Sequence, residues 1–195
     1  MTCQIFVNVK TTTDDNKVVL EDGTNLTTVE ILRFQPTGKV LMGNGLVTAS
    51  GDRVDAATMT AGNYHAQSGN GTTEDPYKPD RVEGYSYGMV PQSLIYGSGA
   101  SAGTIGLRIT TPDGNQYLVN DLSICTGTVS TTNLLNPYTP VTGSSTHYQI
   151  GTWYPHYQYT YTLTIQKKGI TNITAAVLPW EEVHAEITTP ITLEN

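Results

Sequence analysis

The stretch from Tyr157 to Val183, YQYTYTLTIQKKGITNITAAVLPWEEV, constrains the fold more than any other part of the chain. Tyr157, Tyr159, Tyr161, Leu163 and Ile165 alternate with Gln158, Thr160, Thr162, Thr164 and Gln166, the period of a strand with one buried and one wet face. Lys167, Lys168 and Gly169 interrupt that pattern as a turn, Gly taking positive φ at no steric cost, and alternation resumes through Ile173, Ala175 and Val177. The function must therefore be one that a β-rich chain performs.

The rest of the sequence reads the same way. Strands are expected near Gln4 to Lys10, Thr27 to Gln35, Lys39 to Val47, Tyr85 to Tyr96, Thr104 to Thr111, Gln116 to Ile124, Tyr157 to Lys168, Ile170 to Trp180 and Val183 to Leu193. The opening strand places Cys3, Ile5, Val7 and Val9 on one face. Pro112-Asp113-Gly114-Asn115 predicts a hairpin turn, because Pro presets φ and Asp-Gly suits a tight reversal. Helix is a minor component: the one candidate, Val54 to Met59, is short. A Gly, Asn, Ser, Pro and Asp-rich stretch at about 60–84 predicts a long surface loop, and Thr126 to Ser145 a second irregular stretch. At 195 residues, rich in Thr, Gly and Tyr, the expected organisation is one β-sandwich domain over 1–195.

Charge narrows the partners. A net charge of −7, with Lys167-Lys168 as the one adjacent basic pair, argues against nucleic acid. Between Arg108 and Lys167 there is no Lys or Arg, leaving a neutral, hydroxyl-rich half. No apolar run is long enough to span a bilayer as a helix, and MTCQIFVNVK lacks the basic start and apolar core of a signal peptide, so residue 1 is expected at a processing or cloning boundary.

Reactive chemistry finds little support. Gly99-Ala100-Ser101-Ala102-Gly103 matches a nucleophile-elbow pattern, but that motif needs a helix after the serine and a strand is expected here, so no catalytic residue is assigned. His65, His147, His156 and His184 lie in separate segments, and Glu74, Asp75 and Asp80 lack the spacing of a calcium loop, so neither a metal nor a cofactor is expected. Cys3 and Cys125 read as buried free thiols, with a disulfide between them as the alternative. Tyr148, Trp153, Tyr154 and Tyr157 are candidates for a sugar-stacking surface, against the plainer reading of tyrosines covering a sheet edge.

Trp153-Tyr154-Pro155, the alternating tyrosines, Lys168-Gly169-Ile170 and Trp180-Glu181-Glu182-Val183 together resemble the C-terminal domain of fimbrillin-like proteins, the pilus and surface-adhesin subunits of Bacteroides and Porphyromonas relatives. Met89-Val90-Pro91-Gln92-Ser93 is similar to the middle of that domain and QIFVNVK to its first strand. The resemblance implies a transthyretin-like Greek-key β-sandwich of about seven to nine strands. It also implies export as a lipoprotein precursor to the outer membrane, and polymerisation into a fimbrium when a neighbour's C-terminal strand fills a groove opened by proteolysis. The chain shows no lipobox and is expected to start after the domain that carries the processing site, so it reads as an isolated C-terminal domain or an atypical single-domain member.

The tail at 183–195 gives that implication a physical basis. Val183, Ala185, Ile187, Ile191 and Leu193 alternate with His184, Glu186, Thr188, Thr192 and Glu194, and burying that face yields about 1.5 to 3 kcal/mol for each large aliphatic side chain. Pro190 suits an edge strand. The function expected is a structural subunit or adhesin of surface fimbriae, with other fimbrial subunits and surface glycans or proteins as partners. A secreted carbohydrate-binding module using Tyr148, Trp153 and Tyr154 is the alternative.

Overall fold

The computed structural model describes residues 2–12, 14–21, 24–40, 47–61, 82–130 and 136–179. Among them the strands are, in chain order, β1 (Cys3–Thr11), β2 (Thr28–Phe34), β3 (Thr37–Val40), β4 (Val47–Ser50), β5 (Val54–Thr58), β6 (Thr60–Ala61), β7 (Val82–Met89), β8 (Gln92–Ser93) and β9 (Ile95–Tyr96). They continue with β10 (Gly103–Thr104), β11 (Gly106–Thr110), β12 (Gln116–Val119), β13 (Thr126–Val129), β14 (Tyr148–Gln149), β15 (Thr152–Trp153), β16 (Tyr157–Gln166) and β17 (Gly169–Pro179). Helix among the described residues is limited to two single 3-10 turns, Gly99–Ser101 and Leu122–Ile124.

Two main sheets make an all-β sandwich. The larger runs β14-β13-β17-β16-β1-β7-β6 and the smaller β12-β11-β2-β5. The chain passes between them four times: β1 to β2, β5 to β6, β7 to β11 and β12 to β13. These crossings bring together strands far apart in sequence, so β1 lies parallel to β16, with Ile5 opposite Tyr159 and Val9 opposite Leu163, and β13 lies parallel to β17. Of the expected Tyr157–Val183 ribbon, Tyr157–Gln166 and Gly169–Pro179 are observed as an antiparallel pair, Gln166 opposite Gly169 across the Lys167-Lys168 turn, with one register shift at Thr164/Ile165; 180–183 lie outside the described residues.

The core lies between the sheets. From the larger come Cys3, Ile5, Val7 and Val9, the odd residues Tyr157 to Ile165, Ala175 and Val177; from the smaller come Val29, Ile31, Leu107, Ile109 and Tyr117. Each face is set by the two-residue side-chain period: β16 alternates buried and half-buried along its whole length. Burying its five inward side chains contributes about 1.5 to 3 kcal/mol each before conformational entropy is counted. The sheets are also tied directly, the Tyr85 hydroxyl donating to the Thr27 carbonyl at 2.6 Å.

Several local expectations are corrected. Strands number seventeen among the described residues, against the seven to nine expected, because six are two-residue ladders and longer runs are interrupted. Val54 to Met59 is not helical: β5 occupies Val54–Thr58 and pairs with β2, where the ladder outweighs a weak local pattern. The run expected from Tyr85 to Tyr96 breaks after Met89 into β8 and β9, and the run to Ile124 ends in the 3-10 turn, which the Asp121 carboxylate caps by accepting from the Ser123 amide at 2.8 Å. The stretch beginning at Thr126 opens with β13, a strand the sequence pattern did not show. Thr60, Ala61 and 82–84 belong to β6 and β7, and the remainder of the expected 60–84 loop lies outside the described residues.

Candidate interaction surfaces

The segment from 136 to 156 has little ladder of its own beyond β14 and β15, and aromatic side chains fasten it to β16. Trp153 is fully buried, and its indole N–H donates to the Tyr161 hydroxyl at 3.0 Å. The Tyr159 hydroxyl accepts from the Tyr154 amide at 2.6 Å and meets the Tyr138 hydroxyl at 2.5 Å, while Tyr138 Oη also lies 3.0 Å from the Thr152 carbonyl. Tyr138 packs edge-on against Tyr154 at a centroid distance of 5.4 Å. The alternating tyrosines thus carry both apolar area and the polar tips that fix an irregular segment. Burial drives the Tyr138, Tyr159 and Tyr161 phenols well above the usual tyrosine range, so all three stay neutral and keep their hydrogen bonds.

This network takes Trp153 out of the expected sugar-stacking surface. Trp153 presents no face to solvent, so it cannot stack on a ligand; its bulk is spent on the core. Tyr148 and Tyr154 are half-buried, packed against that core from outside. Tyr154 borders a shallow pocket of about 220 Å³ with Tyr138, Gln149 and Thr152.

A larger concavity lies elsewhere, on the outer face of the larger sheet. It has a volume of about 460 Å³ and is lined by residues of β13, β16 and β17 together with His147. Cross-strand pairing puts Thr128, Ala176 and Thr160 in one row, and Thr174 beside Thr162 in the next. Ala176 is the small residue between two threonines, so the floor sinks there. Gly127 makes the β13 wall feasible: a Cβ on it would stand 1.9 Å from the Ala175 carbonyl oxygen. A third pocket, about 230 Å³, includes Arg53, whose guanidinium lies 3.6 Å from the Tyr96 ring centre and donates to the Arg33 carbonyl.

The remaining sequence candidates are dispersed. Ser101 sits in an exposed 3-10 turn between the two-residue strands β9 and β10, not at a strand-to-helix elbow. Cys3 and Cys125 are free and buried, and burial pushes both thiols up to about 12, leaving them protonated and unreactive. His147 and His156 are held in separate loops, and no group of three or more metal-ligating side chains occurs among the described residues. His65, His184, Glu74, Asp75, Asp80 and the donor-strand candidates Val183, Ala185, Ile187, Ile191 and Leu193 lie outside the described residues. No helix among the described residues is long and apolar enough to cross a membrane. The Thr-lined groove escaped sequence reading because its residues come from three strands; the one available signal was the run of threonines at alternate positions.

The fold defines the chain as an all-β sandwich protein. No protein-family model and no curated protein matches it. Among solved structures, it is similar to a candidate cell adhesion protein from Bacteroides uniformis, with 16% identity and a TM-score of 0.50, over 92% of this chain and 51% of that one. A candidate cell adhesion protein from Bacteroides ovatus aligns with 15% identity and a TM-score of 0.46, over 93% and 46%. This chain therefore spans about half the length of the solved proteins it resembles.

Proposed function

We propose that this chain is a structural subunit or adhesin of bacterial surface fimbriae that joins its neighbours by strand addition. The observation that carries the proposal is the sandwich fold shared with the B. uniformis cell adhesion candidate over 92% of the chain. The motif runs from Met89 to Ser93 and from Trp153 to Val183 add to it, as does the alternating tail. In this reading the face carrying Val183, Ala185, Ile187, Ile191 and Leu193 is the donor strand, and main-chain hydrogen bonds supply affinity while the aliphatic side chains select their pockets. The protein works at the cell surface, with other fimbrial subunits as partners and no catalytic role. The alternative, a carbohydrate-binding module using Tyr148, Trp153 and Tyr154, loses its indole, because Trp153 is fully buried.

The test is assembly with a cognate subunit, followed by gel filtration and electron microscopy. Removal of residues 184 to 195, or the triple change Ile187→Asp, Ile191→Asp and Leu193→Asp, is expected to abolish filaments while leaving the β-sheet circular dichroism intact. Unchanged filaments in both variants would sink the donor-strand role.

A further inference from the structure

The groove on the outer face of the larger sheet is chemically unlike the rest of a chain of net charge −7. Its lining holds no Lys, Arg, Asp or Glu: it combines Thr126, Thr128, Thr160, Thr162 and Thr174 with Asn172 and His147, over a floor at Ala176. Those five threonine hydroxyls and the Asn172 amide have no side-chain hydrogen bond among the described residues. His147 uses Nδ1 toward Thr146 Oγ1 at 3.1 Å, and its Nε2 has no hydrogen-bond partner among the described residues. The volume of about 460 Å³ falls within the range of small-ligand sites.

Spacing adds to composition. Adjacent strands stand about 4.8 Å apart and same-face residues along a strand about 6.7 Å, so the hydroxyls form a lattice close to the dimensions of a hexose ring. Each threonine hydroxyl both donates and accepts, as does the Asn172 amide, and sugar hydroxyls need that versatility. The Ala176 methyl group on the floor offers apolar contact to ring C–H groups. An anion would find no Lys or Arg here and a cation no carboxylate, so the lining favours a neutral ligand. We propose that this groove binds a neutral, polyhydroxylated ligand, a segment of an uncharged polysaccharide. The inference deepens the surface-adhesin reading by naming what the subunit holds, at a site separate from Tyr148, Trp153 and Tyr154.

The test is heteronuclear NMR on the whole chain, titrated with malto-, xylo-, cello- and manno-oligosaccharides at millimolar concentration, and with oligogalacturonides as charged probes. At least one neutral series is expected to shift the amides of Thr126, Thr162, Thr174 and Ala176 saturably. Ala176→Tyr, which fills the floor from the outer face, and the near-isosteric pair Thr162→Val with Thr174→Val are each expected to weaken that binding about tenfold or more. The second variant keeps the test decisive where Ala176→Tyr fails to fold. Silence at these amides for every neutral series, binding that survives both variants, or equal binding of oligogalacturonides would each overturn the proposal. Filament assembly is not read in this experiment, so its failure is distinguishable from failure of the strand-addition reading.

Discussion

Trp153 shows how far a residue's type can mislead about its role. An indole near two tyrosines suggests a stacking platform, yet here the ring is buried and its N–H is committed to Tyr161. Trp153→Ala is expected to lose about 3 to 5 kcal/mol through the cavity it leaves. Trp153→Phe keeps much of the packing but strips the Tyr161 hydroxyl of its donor, at a cost of about 1 to 3 kcal/mol. Urea unfolding measures both, and a loss under about 1 kcal/mol for the alanine variant would contradict the buried placement. The neighbouring tyrosines act in the same double capacity, which is why an alternation legible as one buried face also proves to be the anchor of a distant loop. The partners of Tyr159, the Tyr154 amide and the Tyr138 hydroxyl, were not legible, because nothing in local periodicity tells which loop packs against a strand's buried face.

Elements differ in how much of their making is local. The hairpin between β11 and β12 is built from adjacent residues: Asp113 accepts from Thr111 Oγ1 at 2.5 Å and Asn115 Nδ2 at 2.6 Å, and Gly114 has a φ of +80°. The Pro-Asp-Gly-Asn signature was therefore enough to find it. Gly114→Val is expected to lower stability by about 1 to 2 kcal/mol, seen as an earlier thermal midpoint, because a β-branched residue resists that backbone region. β13 is the contrary case. Its four residues carry a weak pattern and become a strand because β17 offers a parallel edge, with Gly127 allowing the backbones to close. Gly127→Ala is expected to cost about 1 to 3 kcal/mol and to speed amide exchange at Thr128 and Ser130. Exchange as slow as in the parent would refute the close approach as the determinant of β13.

For the whole molecule, the two sheets share one core that holds both thiols and three phenols away from water. The pH dependence follows. The Cys3 and Cys125 thiols ionise near 9.0 when unperturbed and near about 12 in the folded protein, so their protonated forms favour the native state. That contribution is complete below about pH 9 and is lost as the pH climbs toward 12, each thiol costing about 1.4 kcal/mol per pH unit in that window. The buried tyrosines act in the same direction. Chemical denaturation between pH 7 and 11 is expected to show a plateau followed by a steep alkaline fall. Cys3→Ala with Cys125→Ala should make the fall shallower, and an identical alkaline limb in that variant would remove the thiols from the account. At the acid end, the charged hydrogen bonds from Arg108 hold the Glu30 carboxyl below its usual range, a contribution present above the unfolded value and lost as pH falls through the folded one.

What the sequence determined by itself was everything that depends on neighbours one to four positions away. It specified the strand class, the inward faces of β1, β16 and β17, the two tight turns and the burial of the thiols, because side-chain period and turn geometry are local properties. Tertiary structure alone decided which strands pair, that β1 lies beside β16, that Trp153 faces inward and that threonines from three strands surround a single groove. Those outcomes rest on contacts between residues up to about 150 positions apart, such as Gln4 and Gln158, where the energy comes from the sheets burying one another and not from any pattern that one segment carries alone.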